Sequence, residues 1–266
     1  MRNLKRALSL GLTATMISGL MVMGSSAASY TDVTSEQNQE AIEVLKEVGI
    51  MVGDDKGNFN PEAKVTRNEM AVVMSNLMAY NVKTYANTSP FTDVPEWAEP
   101  YVAACYTNGI TSGYDAKTYG GSDTVTTGQA ALMLLKALGY FQYSADFGSD
   151  WLVETTKNGS TAGLFDGVAT GAKEALTRND VAQMVLNALE ADLVKAEKNG
   201  SDVQVGDIVI SGGKATYDSR TGTDSKYAKI DNTKVDGKYT IQLGEDLYDG
   251  DLVKADGADD DFGRPS

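Results

Sequence analysis

The sequence predicts a mainly α protein: three tandem helix–loop–helix repeats followed by a short β-rich C-terminal segment. Three observations predict it. Val65-Thr66-Arg67-Asn68-Glu69, Val125-Thr126-Thr127-Gly128-Gln129 and Leu176-Thr177-Arg178-Asn179-Asp180 each set a threonine before an amphipathic run. The apolar positions that follow keep one register: Met70, Val73, Met74, Leu77 and Met78 match Ala130, Met133, Leu134, Ala137 and Leu138, then Val181, Met184, Val185, Ala188 and Leu189. Beyond residue 203 this helical period gives way to alternation. The threonines lie 60 and 51 residues apart, which marks an array of like units rather than one irregular domain.

Ahead of the array, Arg2, Lys5 and Arg6 precede an apolar stretch from Ala7 to Met23 that ends in Gly24-Ser25-Ser26-Ala27-Ala28. Basic, apolar, then small is the order of a secretory signal, so residues 1–28 are expected to be a leader cleaved near Ala28. The apolar stretch is shorter and more polar than the ~20 residues a membrane span needs, and no membrane association is expected after cleavage. Losing three cations and no anion takes the formal charge from −14 to −17. That surface disfavours nucleic acid and anionic lipid. Any anion site must be local and built, because charges beyond a Debye length of ~8 Å are largely screened.

The chain has no histidine, and Cys105 is its only cysteine. This excludes a disulfide framework, zinc sites of the Cys/His type, and Ser-His-Asp or Cys-His nucleophiles. Cys105 aligns with Leu45 of the first repeat, which predicts a buried, inert thiol.

The first repeat is read as residues 30–80. Ala41, Val44, Leu45 and Val48 recur at i, i+3, i+4 and i+7, the stripe of a helix packed on one side, and Gly49 stops it. The second repeat, 90–140, has Trp97, Tyr101, Val102 and Cys105 before Gly109, with Pro100 near the helix start. The third, 146–193, is less regular, its first helix running from Trp151 to Gly163. Between the helices, residues 49–66 align without a gap on 109–126. The third loop, Gly163 to Thr177, is three residues shorter and lacks the aromatic that Phe59 and Tyr119 supply, so this unit is a diverged copy.

Threonine at a helix start with Glu or Gln three residues on is a capping box, which satisfies two orphan backbone donors. Thr66 with Glu69 and Thr126 with Gln129 fit it, and Thr177 with Asp180 is a shorter variant. Asp32 and Asp93 are expected to cap the first helices. Arg67 and Arg178 break the local rule, since a cation in the first turn opposes the helix macrodipole by ~0.3–1 kcal/mol. Beside helix-start N–H groups expected to be open, an anionic ligand would remove the conflict.

At these residues the chain resembles the surface-layer homology (SLH) domains. Thr-Asp-Val at 31–33, Phe-Thr-Asp-Val at 91–94 with Trp97-Ala98, the Gly-Ile pairs with Gly53 and Gly113, and the Thr-Arg-Asn-Glu and Thr-Arg-Asn-Asp runs carry the resemblance over residues 30–193. It implies a pseudo-three-fold spindle whose grooves bind a secondary cell-wall polysaccharide, often through a pyruvylated sugar carboxylate, and hold exported proteins on the bacterial wall. The family's arginine falls on Arg67 and Arg178; the second repeat has Thr127 in that place. Gly53, Gly113 and Gly167 match family glycines, though a turn needing φ > 0 explains them without a ligand. Trp97 matches the family tryptophan; an amphipathic-helix aromatic is more often core than a sugar platform.

Residues 194–202 are polar and read as a linker. From 203 to 266, Val203, Val205, Ile208 and Ile210 alternate, as do Tyr239, Ile241 and Leu243, among Gly, Asp and Ser clusters, which predicts strands. So few large apolar groups would make a marginal domain alone. Asp249, Asp251, Asp256 and Asp259 to Asp261 are oxygen ligands of the kind Ca²⁺ takes, but none of these segments keeps a calcium-loop spacing, and solvated turn or tail is the reading. No cofactor or metal is expected. The chain reads as though cut from a longer protein at Phe262-Gly263-Arg264-Pro265-Ser266.

The function expected is non-covalent, non-catalytic anchoring of a secreted protein at the cell wall or surface layer. Two alternatives stay open: a wall-anchored carbohydrate-active enzyme whose catalytic domain lies beyond this chain, and a structural subunit that self-assembles into a surface lattice. Paired carboxylates hydrolyse glycosides without histidine, so composition does not exclude the enzyme.

Overall fold

The computed structural model describes residues 30–34, 38–198, 203–205, 208–210 and 213–252. The expected leader at 1–28, Asp256 and Asp259 to Asp261 lie outside the described residues. Mainly helical structure with a small strand content is what the chain adopts, with seven α-helices among the described residues. The first unit holds α1 (Gln39–Glu47) and α2 (Arg67–Leu77), the second α3 (Glu99–Thr107) and α4 (Thr127–Leu138), the third α5 (Trp151–Thr161) and α6 (Arg178–Glu190).

Helices form where the apolar stripe and the caps agree. Ala41, Ile42, Val44 and Leu45 bury one side of α1, and Gly49 follows it at φ +72°, the left-handed geometry that glycine adopts at least cost. All three threonine capping boxes are complete. Glu69 N–H donates to Thr66 Oγ1 at 3.2 Å while Thr66 N–H donates to Glu69 Oε2 at 2.7 Å. Gln129 and Thr126 repeat the exchange at 3.3 and 3.1 Å, and Asp180 and Thr177 at 3.1 and 3.3 Å, so the shorter acid suffices.

The second helix of each unit packs on the first helix of the next: α2 on α3, α4 on α5, and α6 back on α1. A closed circuit of backbone hydrogen bonds joins the residues just before the three caps. Val65 N–H donates to Leu176 O at 3.1 Å, Leu176 N–H to Val125 O at 3.0 Å, and Val125 N–H to Val65 O at 2.8 Å. All three side chains are buried in the common core. Buried peptide groups are costly when unpaired, so each unit's loop depends on the other two. Asn179 adds a side-chain link, its Oδ1 accepting from Asn38 N–H at 2.8 Å, immediately ahead of α1.

Cys105 is buried as expected. Desolvation pushes its thiol up to about 12, against a weaker downward pull from Ser75, and the group stays an inert core thiol.

The expected linker at 194–202 begins as a strand. Val194–Lys198 forms β1, paired antiparallel with β4 (Ala215–Ser219), Val194 opposite Ser219. Val194 faces the core while Lys195 and Glu197 face water and pair at 2.6 Å, a half-buried strand masked by its polar composition. β2 (Val203–Val205) pairs with β3 (Ile208–Ile210), and β5 (Thr221–Gly222), β7 (Lys238–Thr240) and β6 (Lys234–Val235) form a sheet in the order β5-β7-β6. Alternation at 239–243 misleads past Thr240, because Leu243 opens α7 (Leu243–Tyr248).

This C-terminal segment is not a separate marginal domain. Leu193, Val194, Ile241, Leu243 and Leu247 join the same buried cluster as Val185 and Leu189 of α6. Leu193 N–H donates to Ile241 O at 2.8 Å, and Leu243 N–H to Ala191 O at 3.0 Å. Asp146, 3% exposed, accepts from Tyr217 Oη at 2.5 Å and Ala215 N–H at 2.8 Å, fastening β4 to the start of the third unit.

Candidate functional site

The three capped helix starts are the places where one unit meets the loop of another. Arg67 N–H donates to Asp123 O and Asn68 N–H to Gly121 O; Thr127 N–H donates to Glu174 O and Gly128 N–H to Ala172 O; Arg178 N–H donates to Ala63 O and Asn179 N–H to Pro61 O. The N–H groups expected to be open are therefore filled by loop carbonyls, and the next donor goes to the capping threonine. Anion binding by the helix starts themselves is lost as an argument, because those donors are spent within the fold.

The arginines follow the same plan. Arg67 donates Nε–H to Tyr119 O at 3.2 Å and Nη2–H to Ser112 O at 2.9 Å. Arg178 donates Nε–H to Phe59 O at 2.7 Å and Nη2–H to Val52 O at 2.8 Å. Carbonyl oxygens from the neighbouring loop thus answer the dipole conflict that the sequence assigns to a ligand. Each guanidinium also lies on an aromatic face, Arg67 at 4.6 Å from the Tyr119 ring centroid and Arg178 at 4.6 Å from that of Phe59. Neither makes an ion pair among the described residues. Burial draws the Arg178 pKa below the ordinary arginine value, opposed by Glu69, Tyr30, Asp32 and Asp54. The other terminal nitrogen of each guanidinium makes no hydrogen bond among the described residues. In the second unit Thr127, 2% exposed, reaches Thr170 O through its hydroxyl at 3.4 Å, Thr170 standing in the sequence place of Phe59 and Tyr119.

Asp32 and Asp93 do not cap helices. Asp32 accepts from Phe59 N–H at 2.8 Å and Asn60 N–H at 2.7 Å, and Asp93 from Tyr119 N–H and Gly120 N–H, both at 2.8 Å. Each aspartate therefore holds the loop residue whose carbonyl and ring receive an arginine. For α1 and α3 the flanking residues Asn38 and Ala98 make no side-chain cap.

Gly53 and Gly113 keep ordinary φ, so the left-handed turn is not their reason. A Cβ on Gly53 would lie 2.3 Å from Tyr30 Cε1, and one on Gly113 2.3 Å from Phe91 Cε1. Absence of a side chain lets those rings press on the backbone next to Val52 and Ser112, the carbonyls that accept the arginines. Gly167 differs: it adopts φ +72° and lines an acidic cavity of about 670 Å³ with Glu40, Asp166, Glu190 and Asp231. Trp97 is not core. It is 56% exposed in the turn ahead of α3 and lines a shallow groove of about 740 Å³ with Val82, Lys83, Pro100 and Tyr101. The structure thus brings Arg67 to the loop of Gly113 and Arg178 to the loop of Gly53, and leaves Gly167 and Trp97 lining other clefts.

Tyr114 and Asp54 escaped the sequence reading. They occupy the same place in two loops that otherwise align without a gap, and that mismatch is the signal that marks them.

Residues 29–71 and 90–131 match the S-layer homology domain. These two segments are S-layer homology domains. The chain is 31% identical over 129 residues to the Surface-layer 125 kDa protein of Lysinibacillus sphaericus, covering 47% of this chain and 11% of that protein. It is 25% identical to the Middle cell wall protein of Brevibacillus brevis over 62% of this chain and 16% of the relative. An Endoglucanase of Bacillus sp. is 30% identical over 40% of this chain and 12% of its own length. The chain thus spans between a tenth and a sixth of these relatives' lengths. S-layer homology segments of this kind mark a secreted cell-surface or cell-wall protein. No helix among the described residues is long and apolar enough to cross a membrane.

Proposed function

We propose that the chain anchors a secreted protein non-covalently to the bacterial cell wall by binding a secondary cell-wall polysaccharide, with an anionic, pyruvylated sugar as the ligand class. One observation carries the reading. On a chain of formal charge −14, the guanidinium groups at two unit boundaries are each held by two loop carbonyls and retain a donor nitrogen with no partner among the described residues. A carboxylate there would gain a charge-assisted hydrogen bond from a group already oriented, so little side-chain entropy is lost on binding. The closed circuit of Val65, Val125 and Leu176 supports a pseudo-three-fold spindle of three S-layer homology repeats, the third diverged.

In this reading Arg67 and Arg178 are the candidate cations for the polymer, Gly53 and Gly113 shape the carbonyls that hold them, and the capping pairs keep the helix starts in place. The anchoring region performs no reaction. Relatives named Endoglucanase and Exoglucanase XynX support the alternative that a longer parent protein carries a catalytic domain elsewhere, and relatives named S-layer protein support a lattice subunit. The test is co-sedimentation with purified Gram-positive cell walls before and after chemical removal of the attached polysaccharide. Binding is expected to intact walls, weakened but not abolished by salt. Equal binding to stripped walls would remove the polymer as ligand.

A further inference from the structure

The two arginine sites share their hydrogen bonds and differ in what lies over the guanidinium. Two rings pack against the Arg67 guanidinium, with the Tyr119 ring centroid at 4.6 Å and the Tyr114 centroid at 4.8 Å. It is 6% exposed, whereas Arg178 is only partly buried. Tyr114 itself is 56% exposed, so its ring stands between the guanidinium and water.

Three contacts hold that ring. Its hydroxyl donates to Asp123 Oδ2 at 3.0 Å, its face meets Arg67, and its edge rests on Gly120, where a Cβ would come within 2.2 Å of Tyr114 Cε2. The first unit has Asp54, Asn60 and Ala63 in the places of Tyr114, Gly120 and Asp123. Asp54 turns back on its own loop, accepting from Asn58 N–H at 2.9 Å and Asn60 Nδ2 at 3.1 Å. Among the described residues, Arg178 therefore has the Phe59 ring against it and no second ring in the place of Tyr114.

We infer that Tyr114 is a cover over Arg67, and that the boundary between α6 and the first loop, with Arg178 uncovered, is the one open to a carboxylate-bearing sugar. This rests on the anchoring function proposed above. It assigns the two arginines different duties: Arg67 joins the first unit to the second, and Arg178 joins the third to the first while facing the ligand. A polymer carboxylate reaching Arg67 must first displace a ring held by stacking and a hydrogen bond, whereas Arg178 needs no such displacement.

Phenylglyoxal, which modifies accessible guanidinium groups, tests this on the full chain with peptide mapping by mass spectrometry. Arg178 is expected to react about tenfold faster than Arg67, the factor that opening one desolvated cation–π contact supplies. Tyr114→Ala should bring Arg67 to within about threefold of Arg178, and Tyr114→Asp, which installs the first unit's residue, should do the same. Circular dichroism melts confirm that each variant is folded, and either variant alone is decisive. Equal reaction of the two arginines in the unaltered protein, or an Arg67 still protected in a folded Tyr114 variant, overturns the cover. Wall co-sedimentation then separates the two ideas. Loss of binding in Arg178→Ala with retention in Tyr114→Ala supports the assignment of the open site. Wall binding equally reduced by Arg67→Lys and Arg178→Lys overturns that assignment. The expected reactivity pattern in a protein that never binds polymer-bearing walls would leave the cover standing and sink the anchoring function.

Discussion

Val65 donates its backbone N–H to the carbonyl of Leu176 at 3.1 Å, so the loop of the first unit is completed by the residue just ahead of the Thr177 cap of α6. With Val125 closing the circuit, each of these three buried peptide N–H groups is satisfied by another unit. Repeat stability here is a property of the ring rather than of one helix pair.

A chain ending at Tyr80 lacks both Val125 and Leu176, and leaves α1 without α6 and α2 without α3. It is expected to be largely unfolded by circular dichroism, because short isolated helices are marginal in water. A sharp, independent helical melt from that fragment would contradict a shared core.

Arg67→Ala should destabilise the protein by at least about 1.5 kcal/mol, since hydrogen bonds from charged groups to Tyr119 O and Ser112 O are lost in a buried setting. The sequence-level expectation runs the other way: relief of a dipole conflict would leave stability unchanged or raised. Arg67→Lys should recover little, because one ammonium nitrogen does not reproduce the planar, pre-oriented pair of Nε and Nη2 donors. Urea midpoints compare the three, and a midpoint of Arg67→Ala at or above the parent value would refute the bridging role.

Thr127→Arg, on the sequence argument, restores a missing binding cation. Thr127 is 2% exposed, and Thr170 stands where the other two loops have Phe59 and Tyr119, so the longer side chain lacks the aromatic that the other arginines rest on. Overpacking of this kind costs roughly 1–3 kcal/mol. The variant should melt lower and bind walls no better; tighter binding with an unchanged melt would show that the second boundary accommodates the cation after all.

Asp54 sets an acid limit. Hydrogen bonds from Asn58 and Asn60 lower its pKa from 3.8 to about 2. A folded-state pKa below the unfolded one means stability present above about pH 4 and lost as the pH falls towards 2. Melting temperature should therefore drop more steeply between those values in the parent protein than in Asp54→Asn. Parallel curves would show that the loop contributes nothing to acid sensitivity.

Tyr217→Phe removes the hydroxyl that donates to Asp146 and accepts from Phe141 N–H at 2.8 Å, while the tilted ring contact with Tyr140 at 4.7 Å remains. Leaving Phe141 N–H without its acceptor and Asp146 short of one donor should cost about 1–3 kcal/mol. Faster limited proteolysis between residues 194 and 219 would accompany the loss. If the segment were only loosely attached, neither stability nor cleavage would change.

What the sequence by itself determined is local: the helix stripes of α1, α2, α4 and α6, the three capping boxes, the buried Cys105, and the acidic balance. Those depend on residues three or four apart or on composition, and here no distant partner reverses them. Only the tertiary structure decided where Asp32 and Asp93 point, why Gly53 and Gly113 lack side chains, and what Arg67 and Arg178 hold. Each of those residues answers to a group that the fold brings from another part of the chain. A cation at a helix start reads as a vacancy for an anion until packing sets a neighbouring carbonyl against it, and an alternation at Ile241 and Leu243 reads as a strand until a helix packs on the core there. Directional hydrogen bonds and van der Waals exclusion act only at contact, so distant partners become legible once the units have closed on one another.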